Sequence, residues 1–460
     1  MASTGIDLTT GRILKSLIQI AAPIMGMQLF QMAYNLIDMF FLGRISPDAV
    51  AAAGSAGMFL WLAVAFFLIG SMGAEIGVSQ SMGKKDIKNA RAYASNAIFI
   101  ALILGIIIGV LTFIFSENLI AILNINELNV ATDATLYLRI VAISYPFMFL
   151  NNAISGIYNG VGNSKLPFYL KTIGLIINII ITPLFIFVLG WQITGAAIAT
   201  SIGFTLTGLL LIIAIKHPRL TPFENYSVKE VIQTNQKHIK QIFKWSLPVA
   251  INSALFTSLT MIIARFVADF GSGAIAAQRV ATQIESLSWL IGGGYAAAYR
   301  AFAGQNFGAK NYKRLQTGYR ISSAVMTLWG IGVGLVMFFG GGSIFRLFIN
   351  EPEIVAIGIS YMRILAVVQI FQCMDALSAS AFEGYGITLP PTIVWITFNA
   401  LRVVVAYFLS LTPLGINGIW IGIAFGNLMR GIILTTWYLL YNKKHLKGVL
   451  NNNESFSPAL

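Results

Sequence analysis

Twelve predominantly apolar stretches, each close to the length that crosses a bilayer, follow one another along this chain. A helix needs about 20 such residues to span the hydrocarbon layer. In lipid, each segment must also close its own backbone hydrogen bonds, so helices are the expected form. The stretches are 15–42, 52–80, 92–116, 134–160, 167–190 and 194–215, then 241–268, 274–304, 320–348, 357–384, 391–411 and 416–441. Only 10% of the 460 residues are charged, where a soluble protein would carry about 25%. The expected class is an all-α polytopic membrane protein.

The net charge of +13 does not point to nucleic acid, because the bases sit in short loops between apolar segments. Arg12 and Lys15 precede the first segment; Lys84, Lys85, Lys88 and Arg91 follow the second. Lys310, Lys313 and Arg314 follow the eighth, and Lys443, Lys444 and Lys447 the twelfth. The alternate loops hold Glu117, Glu127, Asp133, Glu351 and Glu353. By the positive-inside rule, both termini and the polar interval 216–240 are cytoplasmic. The expected organisation is an N-terminal lobe 1–215, a linker 216–240, a C-terminal lobe 241–441 and a tail 442–460. The polar start MASTGIDLTTGRILK does not read as a cleaved signal peptide. The single Cys373 has no partner for an intrachain disulfide, and the three histidines lie in polar loops.

The chain is also duplicated. Residues 23–83 align with 248–308 at a constant offset of 225, with Pro23 over Pro248 and AVAA over AIAA. SQSMGKKD (79–86) matches GQNFGAKN (304–311), and Gly160, Gly162 and Pro167 match Gly384, Gly386 and Pro391 at 224. GAAIATSIG (195–203) matches GIWIGIAFG (418–426) at 223. An even number of spans per copy makes these parallel repeats, an arrangement that transporters use with substrate and ion sites between repeats.

One polar stripe interrupts the first apolar segment: Gln28, Gln31, Asn35 and Asp38 share a helix face. A carboxylate well inside a membrane helix costs about 2.5–3.5 kcal/mol on insertion scales. A bound cation, a proton or a polar partner must compensate for it; the alternative is snorkelling to water, since Arg44 follows closely. Asn178 and Thr182 share a face of the fifth segment, before Pro183, and Thr200 lies in the small-residue run of the sixth. With Asp38 they offer hard oxygen ligands suited to a light cation, so Na+ at Asp38, Asn178 and Thr200 is one reading and H+ the other. Polar groups of this kind also tie membrane helices together.

The second repeat does not copy this set. Ile263 stands opposite Asp38, Arg402 opposite Asn178 and Ala406 opposite Thr182. Its own buried acid is Asp375, opposite Asn151, with Gln369 and Gln372 on the same broad face. Arg402 is read either as a partner of Asp375 or as a residue for coupling or substrate. Glu285, Arg265 and Arg300 are further intramembrane charges, some of them expected to be paired. There is no P-loop, HExxH, GxSxG or intramembrane histidine, so an enzyme is not expected. The Gly-rich runs 70–77 and 330–342 read as close helix packing.

These features together resemble the multidrug and toxic compound extrusion (MATE) transporters across essentially the whole chain. The resemblance rests on the two six-span repeats, the pattern Asn35-Leu-Ile-Asp38 with Gly43, the SQSMG and GQNFG signatures, and GAAIAT. It implies V-shaped six-helix lobes and cation-coupled efflux of amphipathic, often cationic compounds. It also implies Asp38 as coupling carboxylate with Asn178 and Thr200 beside it. Many members carry a second aspartate before the proline of the fifth span, where this chain has Thr182. The resulting expectation is an antiporter, a monomer in a bacterial or archaeal cytoplasmic membrane, in contact with lipid, with H+ or Na+ as coupling ion and no cofactor. Its substrate cavity is expected to involve Gln31, Tyr34, Asn151, Asn152, Asp375 and Gln372. A flippase of lipid-linked saccharides, built on a related repeat, is the alternative.

Overall fold

The structure is a computed structural model describing residues 5–125, 127–224, 226, 230–231 and 233–452, with side chains to 445. Parts of the expected 216–240 linker and 442–460 tail lie outside the described residues. Every regular element among the described residues is helical. The first half comprises α1 (Ile13–Gly43), α2 (Pro47–Gly83), α3 (Ile87–Ile114), a short α4 (Ser116–Ala121), α5 (Leu128–Ala142), α6 (Tyr145–Val161), α7 (Lys165–Pro183) and α8 (Gln192–Lys216). The second comprises α9 (Gln236–Ala268), α10 (Ser272–Gly308), α11 (Tyr312–Leu335), a short α12 (Gly341–Arg346), α13 (Pro352–Ala366), α14 (Gln369–Gly384), α15 (Leu389–Ser410) and α16 (Ile416–Asn452). The chain divides into two compact units, one of Met1–Thr10 with Ala22–Ala250 and one of Gly11–Ala21 with Ile251–Leu460.

Nine described helices or helix runs are long and apolar enough to cross a membrane, and two bent pairs bring the number to eleven. The twelfth expected segment is α10. It is 37 residues long, but Arg279, Glu285 and Arg300 make it more polar than its counterpart α2. Outward faces such as Ile106, Val110 and Phe113 on α3 are exposed, as suits a protein whose surrounding solvent is lipid.

The fourth and tenth spans, expected to be continuous, are broken. α5 and α6 meet at 52°, and α13 and α14 at 51°. In the first unit Pro146 has no N–H to continue the helix from α5. In the second, Ile370 stands at that position and no proline is present; instead the Gln369 Nε2 donates to the Leu365 carbonyl at 3.3 Å. A helix of the same unit then packs against each break. A Cβ on Gly105 would lie 2.7 Å from Pro146 Cα, and one on Gly330 would lie 2.7 Å from Ile370 Cα.

The repeat is therefore visible in the backbone as well as in the sequence. The helix after each bend ends at a left-handed glycine, Gly162 at φ 93° and Gly386 at φ 77°, which only glycine adopts freely. The turns after α2 and α10 place Lys85 at φ 58° and Lys310 at φ 57°. Asp86 and Asn311 then cap the next helices, accepting from the N–H groups of Asn89 at 3.0 Å and Arg314 at 3.3 Å. Where α2 crosses α6 and α10 crosses α14, a Cβ on Gly160 would meet the Glu75 carbonyl oxygen at 2.9 Å, and one on Gly384 the Arg300 carbonyl oxygen at 2.8 Å.

Candidate functional site

Four helices of the first unit present matching faces to one cavity of about 100 Å³. α1 contributes Met27, Gln31 and Tyr34; α6 contributes Met148, Asn151 and Asn152. α7 adds Lys171, Gly174, Leu175 and Asn178, and α8 adds Thr200, Gly203, Phe204 and Thr207. Each set follows the spacing of one helix face. Small residues let the walls approach: a Cβ on Gly203 would stand 3.2 Å from Asn178 Cβ.

At one end of the cavity the hydroxyls of Tyr34 and Thr200 lie 3.1 Å apart, buried. Tyr34 also reaches Asn178 and lies in the field of the Asp38 carboxylate. Tyr137, from α5, lies near Thr200 and also feels the Asp38 carboxylate. The Thr182 hydroxyl donates to the Asn178 carbonyl at 2.8 Å and lies 3.2 Å from its side-chain oxygen. Asp38 is one turn beyond Tyr34 on α1. Its Oδ1 is buried without a hydrogen-bond partner, and among the described residues it forms no ion pair.

The structure thus brings Asp38, Asn178, Thr182 and Thr200 into one neighbourhood. Gln31 and Tyr34 line the cavity, as do Asn151 and Asn152. Asn35 is exposed; the Gln31 amide donates to it at 3.3 Å, and it does not line the cavity. Gln28 is half-buried outside it. Among the residues that escape the sequence reading as site members, Tyr137 and Lys171 matter most. Tyr137 is separated from Asp38 by nearly one hundred residues, so no local pattern joins them. Lys171 sits seven positions before Asn178 on the same face of α7, a spacing that does put it there.

In the second unit Asp375 is 5% exposed. It accepts from the Trp395 indole N–H at 2.7 Å and pairs with Arg430 at 3.4 Å. The expected pair with Arg402 is not formed. Arg402 donates to the Thr260 hydroxyl at 3.0 Å and lies over the Phe256 ring at 4.8 Å. Arg430 is preferred because it also donates to the Asn399 and Asn427 side-chain oxygens, both at 2.8 Å, which holds the guanidinium in place. Gln372 approaches Glu285 rather than Asp375. Glu285 ties the two halves of the broken span, accepting from the Tyr361 hydroxyl at 2.7 Å and the Gln369 amide at 3.5 Å. Arg300 pairs with Glu383 at 2.8 Å, and Arg265 with Asp269 at 3.8 Å on an exposed face. Among the described residues, no group of three or more His, Cys, Asp or Glu side chains is placed to hold a metal ion.

The MatE family profile matches residues 23–184 and again 248–408, the two copies of the repeat. The chain is 26% identical over 433 residues to a probable multidrug resistance protein, NorM, of Thermotoga maritima, covering 92% of each chain. It is 24% identical over 412 residues to the multidrug export protein MepA of Staphylococcus haemolyticus, covering 88% of this chain and 89% of that one. Among solved structures, a MATE crystal structure in the bent conformation shares the fold. Its TM-score is 0.89 at 23% identity, and the likeness covers 97% of this chain and 99% of that one.

Proposed function

This chain belongs to the MatE family of integral membrane transporters, and on that premise we propose that it is a secondary antiporter. It exports amphipathic organic compounds while H+ or Na+ enters at Asp38. The observation that carries the reading is the Asp38 carboxylate: one oxygen is buried with no donor, and among the described residues no base pairs with it, so its charge needs a mobile cation. Export is supported by the relatives named as multidrug resistance and export proteins.

Neutralising Asp38 changes the field on Tyr34, which is hydrogen-bonded to Thr200, and on Tyr137 nearby. That couples α1, α5 and α8 to one titrating group, and through Tyr34 to the cavity wall. H+ suits the site better than Na+. The Thr182 proton goes to the Asn178 backbone carbonyl, and the Thr200 hydroxyl is hydrogen-bonded to Tyr34; a sodium ion would need several of these oxygens turned toward it, whereas a proton needs only the free Asp38 oxygen. Both termini are assigned to the cytoplasmic side of a prokaryotic cytoplasmic membrane by the loop charges, and the working unit is the monomer.

The test is export of a fluorescent organic cation from vesicles under separately imposed pH and Na+ gradients. The reading expects export under the pH gradient alone. Export under the Na+ gradient alone would transfer the coupling to Na+, and export under neither would sink the antiport reading.

A further inference from the structure

The two repeats treat one trio of positions in opposite ways. In the second unit it is filled by Asp375, Trp395 and Arg430, a buried carboxylate held by an indole N–H at 2.7 Å and a guanidinium at 3.4 Å. The offsets of 224 and 223 carry these positions onto Asn151, Lys171 and Thr207. All three line the cavity of the first unit. There the acid is replaced by a neutral amide, while the position of the indole donor carries an ammonium group. The trio that is balanced in the second repeat has one uncompensated positive charge in the first.

No Asp or Glu among the described residues lines this cavity. Among the described residues, Lys171 takes part in no ion pair. Asn151 donates through Nδ2 to the Phe204 carbonyl at 3.2 Å, leaving its Oδ1 buried and unpartnered. Lys171 therefore faces a space with hydroxyl and amide groups around it and no internal anion. A cavity of about 100 Å³ has room for a carboxylate beside Lys171.

We propose that this cavity is an anion subsite: it holds the carboxylate of an organic substrate on the Lys171 ammonium, where the second repeat holds the carboxylate of Asp375. Gln31 lines the same cavity and keeps a second amide N–H beyond the one given to Asn35, a further donor for a charge-assisted contact. Zwitterionic and acidic amphiphiles then join the substrate range. The word substrate rests on the export reading above; the subsite itself does not.

The experiment uses two dyes that differ at one group, the free acid rhodamine 110 and its methyl ester rhodamine 123. Binding to the full chain in dodecyl maltoside is followed by fluorescence anisotropy. The wild type is expected to bind the acid about tenfold more tightly than the ester, the size of one such contact at about 1.4 kcal/mol. Lys171→Met should erase the difference with ester binding kept, and Lys171→Arg should retain it. Asn151→Asp, which restores the acid of the second repeat, should also erase it by pairing Lys171 internally. Equal affinities in the wild type, or a preference that survives both Lys171→Met and Asn151→Asp, would overturn the proposal. Displacement of the acid dye by phosphatidylglycerol in a Lys171-dependent way would assign the site to a lipid phosphate and overturn the substrate claim. A Lys171-dependent preference in a protein that exports neither dye under any gradient would leave the subsite standing and remove only the antiport reading.

Discussion

Arg430→Met is the substitution whose cost follows most directly from the structure. Both partners are largely buried, with side-chain exposures of 10% for Arg430 and 7% for Asp375. Methionine fills much of the arginine stem's volume but leaves the carboxylate with the Trp395 N–H as its remaining donor. Breaking a buried pair from one side costs about 3–5 kcal/mol. Removing the guanidinium also orphans the Asn399 and Asn427 oxygens, at about 1 kcal/mol or more each. The single variant should thus lose about 5–7 kcal/mol. Adding Asp375→Asn removes the stranded charge but not the orphaned amides, so the double variant should recover about 3 kcal/mol. The assay is the unfolding midpoint in mixed SDS and dodecyl maltoside micelles, read as a double-mutant cycle. Additive losses, with the double variant less stable than either single one, would refute the pairing of Asp375 with Arg430.

Other outcomes follow from the same geometry. Gly384→Ala places a Cβ 2.8 Å from the Arg300 carbonyl oxygen and should cost about 1–3 kcal/mol. Gly332→Ala, with nothing within 4 Å, should be neutral or gain up to about 1 kcal/mol in the same micelle assay. Glu285→Gln weakens the tie between Tyr361 and Gln369 across the bend and should cost about 1–2 kcal/mol while transport persists. Loss of transport by a well-folded Glu285→Gln would instead place that carboxylate in the coupling. Tyr34→Phe removes the hydroxyl shared with Thr200 and should slow proton-driven export several-fold in vesicles, with dye binding kept; an unchanged rate would remove Tyr34 from the pathway.

Much of the architecture is legible in the sequence because the repeat keeps its register. Glycines, caps and left-handed turns fall at matching positions, so aligning the letters aligns the backbone. The bend in the fourth span has a marker in Pro146, whereas that in the tenth has none, since Gln369 does by a side-chain hydrogen bond what proline does by lacking one. The polar stripe on α1 is only half right. Helix spacing places Asn35 beside Asp38, but the neighbours close over the face of Met27, Gln31 and Tyr34 and leave Asn35 outside. The partner of Asp375 is hidden because Arg430 comes from the last span and its first-repeat counterpart, Thr207, carries no charge. Lys171 is missed, although its spacing from Asn178 puts both on one face of α7; what the letters do not show is that α6 and α8 turn that face into a cavity.

The most direct measurement compares uphill export with passive exchange in proteoliposomes of Asp38→Asn. If Asp38 is the coupling carboxylate, the variant still binds dye and exchanges labelled for unlabelled substrate, but accumulates nothing against a pH or Na+ gradient. Gradient-driven accumulation at the wild-type rate would contradict the account.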